Sequence, residues 1–356
     1  MALDRLMLTH FRNHPGTRLQ GTRMFNLLVG ENGAGKTNVL EALSLLAPGR
    51  GLRRAALPDL AAQDGPGTFA VSAQLGDAVQ IGTGSLADRP GRRTVQINGA
   101  DVPAVRLGEW LSLGWLTPAM DRLFMEGAGA RRRFLDRLVL ALEPGHAKHA
   151  ARAEAALRER NRILSDPAEP DPVWLDALDL QLAAAGALVA QARARLIERL
   201  GSALQTLPDA PFARPELAYH PGGPLDEAEL ARALGESRRR DRAAGRTLTG
   251  PHRDELAVTM AGKGQPASDC STGEQKALLI AITLAHAALL GTDRPGVLLL
   301  DEVAAHLDPL RRAALFERLR GGTAQVWLTG TELAPFERIA AEAAVWRVVE
   351  GRVERL

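Results

Sequence analysis

A chain of 356 residues, 46% hydrophobic and 24% charged, has ordinary globular composition and enough apolar material for a sizeable core. Its one cysteine, Cys270, excludes an intramolecular disulfide and points to a reducing, cytoplasmic setting. A net charge of +2 singles out no partner by itself, but only four of the 44 basic residues are lysine, and the arginines gather locally. Clusters stand at Arg53-Arg54, at Arg131-Arg132-Arg133 and at Arg238-Arg239-Arg240 with Arg242. Such patches permit binding to a phosphate backbone, and each is equally compatible with a solvated helix face.

The opening Met1-Ala2-Leu3-Asp4-Arg5 carries an acid and a base, with no apolar signal core behind it. Leu6, Leu8 and Phe11 alternate as a strand should, and Phe25-Asn26-Leu27-Leu28-Val29 reads as a second. That run ends at Gly30, crosses a glycine-rich turn and enters a helical pattern with Val39, Leu40, Leu43 and Leu46 on one face. Residues 68–105 look like short antiparallel strands, with turn signals at 88–91 and Asn98-Gly99. From about 106 to 249 the pattern turns helical. A helix near 146–164 precedes an apolar stripe over 172–207, about 50 Å of helix, with Pro167, Pro170 and Pro172 between them. The pair suggests a coiled-coil-like hairpin, or two ordinary packed helices. After 250 the α/β character returns: Val297-Leu298-Leu299-Leu300 and the run 325–329 read as buried parallel strands. The most apolar stretch, Ala277–Leu290, is too short to span a bilayer and reads as a core helix.

Gly30-Glu31-Asn32-Gly33-Ala34-Gly35-Lys36-Thr37 satisfies G-x-x-x-x-G-K-[ST] between a strand and a helix. Glycines there let backbone N–H groups curl around one anion at a helix N-terminus. Lys36 is placed to neutralise the β- and γ-phosphates of ATP and the Thr37 hydroxyl to ligate Mg²⁺. Asp301 and Glu302, at the end of a buried strand, form an acid pair that is costly unless a cation or reacting group uses it. Asp301 fits a second Mg²⁺ contact, and Glu302 the general base that activates water. Ser271-Thr272-Gly273-Glu274-Gln275 precedes the helix expected near Ala277, where Ser271 and Glu274 could form a simple capping box.

Set upstream of the acid pair, that segment resembles the ABC signature motif, and Ala305-His306-Leu307-Asp308 resembles the D-loop. Further marks narrow the resemblance. They are Leu8-Thr9-His10-Phe11-Arg12-Asn13, the run Gly35-Lys36-Thr37-Asn38-Val39-Leu40-Glu41-Ala42, and Gly49-Arg50-Gly51-Leu52-Arg53. With Arg132-Arg133-Phe134-Leu135-Asp136 and Gly250-Pro251-His252-Arg253-Asp254-Glu255-Leu256, they resemble the RecF family over nearly the whole chain.

The resemblance implies an α/β P-loop ATPase head of the ABC/SMC type with an inserted helical lobe. The expected divisions are 1–105 for the first half of the head, 106–249 for the lobe and 250–356 for the second half. It also implies an ATP-dependent homodimer that binds gapped DNA and, with RecO and RecR, loads RecA. The nucleotide set it implies is residues 30–38, Arg12, Ser271, Gly273, Glu274, Gln275 and Asp308. Two departures point to weak turnover, with ATP acting mainly as a binding switch. Pro118-Ala119-Met120-Asp121 brings no Q-loop glutamine, and Thr329-Gly330-Thr331 stands where many ABC proteins carry a switch histidine. Rival readings are an ABC-type subunit of another system, against which the 235 residues from Lys36 to Ser271 argue, and a DNA clamp with little turnover.

Overall fold

A computed structural model describes residues 2–76, 78–169, 171–208 and 210–356. Pro170, one of the three prolines expected between the long helices, lies outside the described residues. In chain order the strands and longer helices begin β1 (Arg5–Phe11), β2 (His14–Gln20), β3 (Phe25–Val29), α1 (Lys36–Ser44) and α2 (Leu57–Leu60). Next come β4 (Ala70–Leu75), β5 (Val79–Leu86), β6 (Arg89–Ile97), β7 (Ala100–Asp101), β8 (Ser112–Leu116), α3 (Ala128–Leu142), α4 (His146–Leu164) and α5 (Pro172–Gln205). The remainder is β9 (Pro215–His220), α6 (Glu227–Ala244), β10 (Glu255–Met260), β11 (Gln265–Pro266), α7 (Thr272–Leu289), β12 (Gly296–Leu300), α8 (Pro309–Arg320), β13 (Gln325–Gly330), α9 (Glu337–Ala340), β14 (Ala343–Val349) and β15 (Arg352–Arg355).

The chain forms two compact units, residues 1–121 with 282–356 and residues 122–281, so a boundary falls inside α7. These limits differ from the expected divisions at 105 and 249. The short apolar run Ser112–Leu116 is a parallel edge strand hydrogen-bonded to β12, which ties it to the first unit. Residues 250–281, expected with the head, cluster instead with the second unit, where β10 pairs with β9 and β11.

The first unit holds two six-stranded sheets. One is antiparallel throughout, in the order β2-β1-β4-β5-β6-β7, and includes the strands expected over 68–105. The other runs β15-β14-β3-β13-β12-β8, with only β15 antiparallel to its neighbour. Every residue of β3, β12 and β13 is buried, as strands of a parallel sheet covered on both faces should be. Val39, Leu40, Leu43 and Leu46 are each 0% exposed and join Leu6, Leu8 and Trp327 in one core.

In the second unit α4 and α5 pack along each other as the hairpin pattern anticipated, and α6 packs on α5. Leu182, Ala183, Ala153, Leu230 and Leu234 form that contact core. α5 is long and apolar enough to cross a membrane by length and composition, but 56% of its most apolar window is buried inside the protein. It also carries buried Asp179 and Arg193 in ion pairs, the mark of a core helix rather than a lipid-facing one. Two buried arginines of this unit are each paired with two carboxylates. Arg160, 0% exposed, donates to Asp179 and Asp241 at 2.6 Å each, and Arg193 joins Asp136 and Asp254 at 2.8 and 2.7 Å.

Candidate nucleotide site

The loop from Gly30 to Gly35 links the end of β3 to the N-terminus of α1, and its glycines are dictated by space as well as by backbone angle. Gly35 sits at φ +113°, and a Cβ there would lie 2.7–2.8 Å from the side chains of Asn13 and His14. Gly33, at φ +83°, has open space around it, so its requirement is conformational alone. Two separated segments brace the loop through three hydrogen bonds. Asn13 Nδ2 donates to the Ala34 carbonyl at 3.1 Å, His14 Nε2 to the Gly35 carbonyl at 3.0 Å, and the Gly351 N–H to the Ala34 carbonyl at 2.9 Å. Burial lowers the His14 pKa, which favours the neutral imidazole in this brace.

Lys36 is 4% exposed, and its ammonium donates to the Gly30 and Glu31 carbonyls at 2.7 and 2.8 Å. Burial lowers its pKa, against the opposing pull of the Glu302 and Asp301 carboxylates. Thr37 Oγ1 donates to Asp301 Oδ1 at 2.9 Å, which joins the loop to the end of β12. Asp301 is 6% exposed. Burial pushes its carboxyl up, and hydrogen bonds from Thr329 and Thr37 pull it down. Glu302 follows at φ +54°, a left-handed conformation uncommon outside glycine, asparagine and aspartate. Its N–H donates to Thr329 Oγ1 at 2.9 Å, and Thr329 Oγ1 in turn donates to Asp301 Oδ1 at 2.8 Å.

The geometry brings residues 30–37, Asp301 and Glu302 together in the first unit. Asn38 is adjacent: its Nδ2 donates to Asn13 Oδ1 at 2.7 Å, and its Oδ1 accepts from Arg53 at 2.7 Å. Arg12 holds the buried Glu41 carboxylate of α1 with two bonds of 2.9 and 3.0 Å and the Asp59 carbonyl at 2.7 Å. Asp308 accepts from the Arg311 N–H at 2.9 Å as the N-cap of α8. Ser271 and Glu274 form the capping box allowed for them. The Ser271 N–H and hydroxyl donate to Glu274 Oε2 at 2.9 Å each, and Lys263 and Ser271 hold the Glu274 carboxyl down at about 2. α7 therefore starts at Thr272 rather than near Ala277, and Gly273, Glu274 and Gln275 lie in its first turn. Gln275 Nε2 donates to the Cys270 carbonyl at 2.9 Å.

Sequence reasoning missed the braces Asn13, His14 and Gly351, and the two hydrogen bonds of the Thr329 hydroxyl; only tertiary contact reveals them. Tertiary contacts also divide the arginine clusters into paired and exposed members. Arg131 is held by Glu255 at 2.6 Å, Arg238 by Asp176 and Asp179, Arg242 by the Pro167 and Ala168 carbonyls, and Arg53 by Glu41. Arg54, Arg133, Arg239 and Arg240 are exposed and make no ion pair among the described residues.

The donor set fits a magnesium–triphosphate group. Among the described residues no cluster of three or more His, Cys, Asp or Glu could hold a metal alone. A hydroxyl and one carboxylate 2.9 Å apart beside an anion cradle suit a cation carried largely by phosphate and water.

The RecF/RecN/SMC N terminal domain family matches residues 2–350. The DNA replication and repair protein RecF of Mesorhizobium japonicum is 46% identical over 370 residues, covering 99% of this chain and 97% of its own. RecF of Brucella suis biovar 1 is 44% identical, with 99% and 96% covered. A solved structure described as the recombination mediator protein RecF-ATPrS in the RecFOR pathway superposes with a TM-score of 0.86 at 23% identity, covering 100% and 99%. The Smc head domain of Pyrococcus furiosus with an extended coiled coil gives 0.55 at 16% identity, covering 100% and 96%. At those identities the two structures establish likeness of fold, that of an ABC/SMC-type ATPase head.

Proposed function

Since the chain belongs to the RecF family of DNA replication and repair proteins, we propose that it is an ATP-dependent DNA-binding protein of recombinational repair with weak Mg²⁺-dependent ATPase activity. The observation that carries the reading is the joined pair of motifs: a glycine-walled anion cradle whose Thr37 hydroxyl meets Asp301 at 2.9 Å, with Glu302 next in sequence. Residues 30–38 would wrap the triphosphate with backbone N–H groups, and Lys36 would leave its loop carbonyls for the β- and γ-oxygens. Thr37 and Asp301 would hold the magnesium ion, which when bound offsets phosphate charge. Glu302 would accept the proton of the attacking water. Arg12, paired with Glu41 of α1, would stand beside the loop as a further contact for the nucleotide.

Ser271, Gly273, Glu274, Gln275 and Asp308 would serve a second molecule's triphosphate across an ATP-driven homodimer. A helix start offering N–H groups and a hydroxyl suits an anion approaching from outside. DNA at gaps would be held through phosphates, with RecO and RecR as partners in loading RecA, in the cytoplasm. Thr329-Gly330-Thr331, standing where many ABC proteins carry a switch histidine, favours slow turnover, so a clamp that uses ATP mainly by binding it is the second reading.

The test is DNA binding by the purified protein with and without ATP·Mg²⁺ on gapped, single-stranded and blunt duplex substrates, alongside phosphate release. ATP-dependent retention on gapped DNA, lost in Lys36→Met, is expected. Equal retention with and without ATP would overturn the reading, and retention without any phosphate release would favour the clamp.

A further inference from the structure

We propose that Thr329 is a positioning residue for hydrolysis, its one hydroxyl setting both the metal-facing carboxylate and the backbone of the water-facing one; this rests on the ATPase reading above. Thr329 is 1% exposed at the end of β13, whose register with β12 pairs Leu328 with Leu300, so Thr329 and Asp301 stand side by side. Its Oγ1 donates to Asp301 Oδ1 at 2.8 Å and accepts from the Glu302 N–H at 2.9 Å. Asp301 is thereby oriented from two sides, by Thr37 of the phosphate-loop helix and by Thr329 of the neighbouring strand. Glu302 needs such a tether, because a left-handed glutamate at φ +54° persists only where surrounding contacts over-determine it.

The next residue extends the linkage. The Gly330 carbonyl accepts from the Gly30 N–H, the first residue of the phosphate loop, at 3.2 Å. A Cβ on Gly330 would sit 2.4 Å from the Phe336 ring, which locks this strand end in place. Two consecutive residues of β13 thus touch the phosphate loop, the metal-facing acid and the backbone of the base.

A buried threonine could serve packing alone, and the two roles predict opposite orders of damage. Packing tolerates Thr329→Val, which keeps the shape, better than Thr329→Ser, which opens a methyl-sized gap. Positioning tolerates serine, which keeps the hydroxyl, and not valine.

The experiment compares wild type, Thr329→Val and Thr329→Ser by steady-state ATP hydrolysis, by binding of a fluorescent ATP analogue across a Mg²⁺ titration, and by melting temperature. Partners hydrogen-bonded to a metal-ligating carboxylate typically matter by about 10–100-fold. Valine should lower kcat by that factor, with KM for ATP within about 3-fold at saturating Mg²⁺, and raise the Mg²⁺ needed for half-maximal binding. Serine should restore both. Valine matching wild type in kcat and Mg²⁺ requirement overturns the proposal, as does serine falling as far as valine. If valine fails to fold, serine alone decides: wild-type kcat and Mg²⁺ requirement uphold the positioning role, and loss of both with an unchanged melting temperature rejects it. Failure of the ATPase reading itself is distinct, since wild type would then neither bind nor hydrolyse ATP.

Discussion

Replacing Arg160 with methionine tests the second unit at its most exacting point. The guanidinium is 0% exposed and donates to Asp179 at 2.6 Å, Asp241 at 2.6 Å, the Thr247 hydroxyl at 2.7 Å and the Leu234 carbonyl at 2.9 Å. Methionine keeps an unbranched apolar stem there and removes the cation, leaving two buried carboxylates short of a partner. Neither is stripped bare. Asp179 keeps Arg238 at 2.7 Å, and Asp241 keeps the Ser237 hydroxyl at 2.7 Å and the Leu248 N–H at 3.0 Å. Deleting one member of a buried ion pair costs about 3–5 kcal/mol. At roughly 2–4 °C per kcal/mol for a domain of this size, melting of the second unit should fall by about 6–20 °C. Scanning calorimetry of the full chain is the assay, with the first unit's transition as internal reference. Adding Asp241→Asn should return part of the loss, since it removes one of the uncompensated charges. A fall of less than about 3 °C, or no recovery in the double variant, would refute the view that this network is held by charge.

Gly35→Ala should weaken ATP binding by at least about 10-fold, since a non-glycine residue pays roughly 1–2 kcal/mol in left-handed backbone and its Cβ collides with Asn13 and His14. Gly16→Ala, with nothing within 4 Å, should bind ATP as wild type does in the same titration. Glu302→Gln should keep ATP affinity, accumulate a nucleotide-bound dimer in size-exclusion chromatography and hydrolyse about 10²–10⁴-fold more slowly; unchanged turnover removes Glu302 from the chemistry. Ser271→Arg should retain monomer ATP binding and lose dimerisation, and mixing it with Lys36→Met chains should restore part of the ATP-dependent dimer through one intact composite site. Ser271→Arg dimerising like wild type would leave the capping box as its whole role. DNA affinity should fall steeply with salt, and Arg133→Ala with Arg239→Ala and Arg240→Ala should flatten the log–log slope by about 0.9 per lost phosphate contact. Arg131→Ala, whose guanidinium is tied to Glu255, should leave that slope unchanged.

What the sequence made legible was local. Residues 30–37 are contiguous, the acid pair ends an unbroken apolar strand, and the α5 stripe repeats at helical spacing, so motif and period were enough. Ser112–Leu116 was not legible, because a short apolar run cannot be assigned to strand or helix by periodicity. Which members of the arginine clusters are paired was not legible for a related reason. Whether a guanidinium faces solvent depends on carboxylates distant in sequence, as Glu255 is from Arg131 and Asp179 from Arg238. The capping box at Ser271 was readable, since its members stand three residues apart. What it would offer a second chain is a property of assembly, beyond the reach of local pattern.

The three braces of the phosphate loop carry a consequence for how the protein is made. β3 lies between β13 and β14, strands more than 300 residues later in the chain, and the Ala34 carbonyl is fastened by Gly351. A nascent chain that has emerged only through its nucleotide motif therefore has neither the flanking strands nor the clasp that shape it. ATP cannot act as an early template for folding, and the intermediate on the ribosome must keep the apolar β3 out of wrong pairings until synthesis is far advanced.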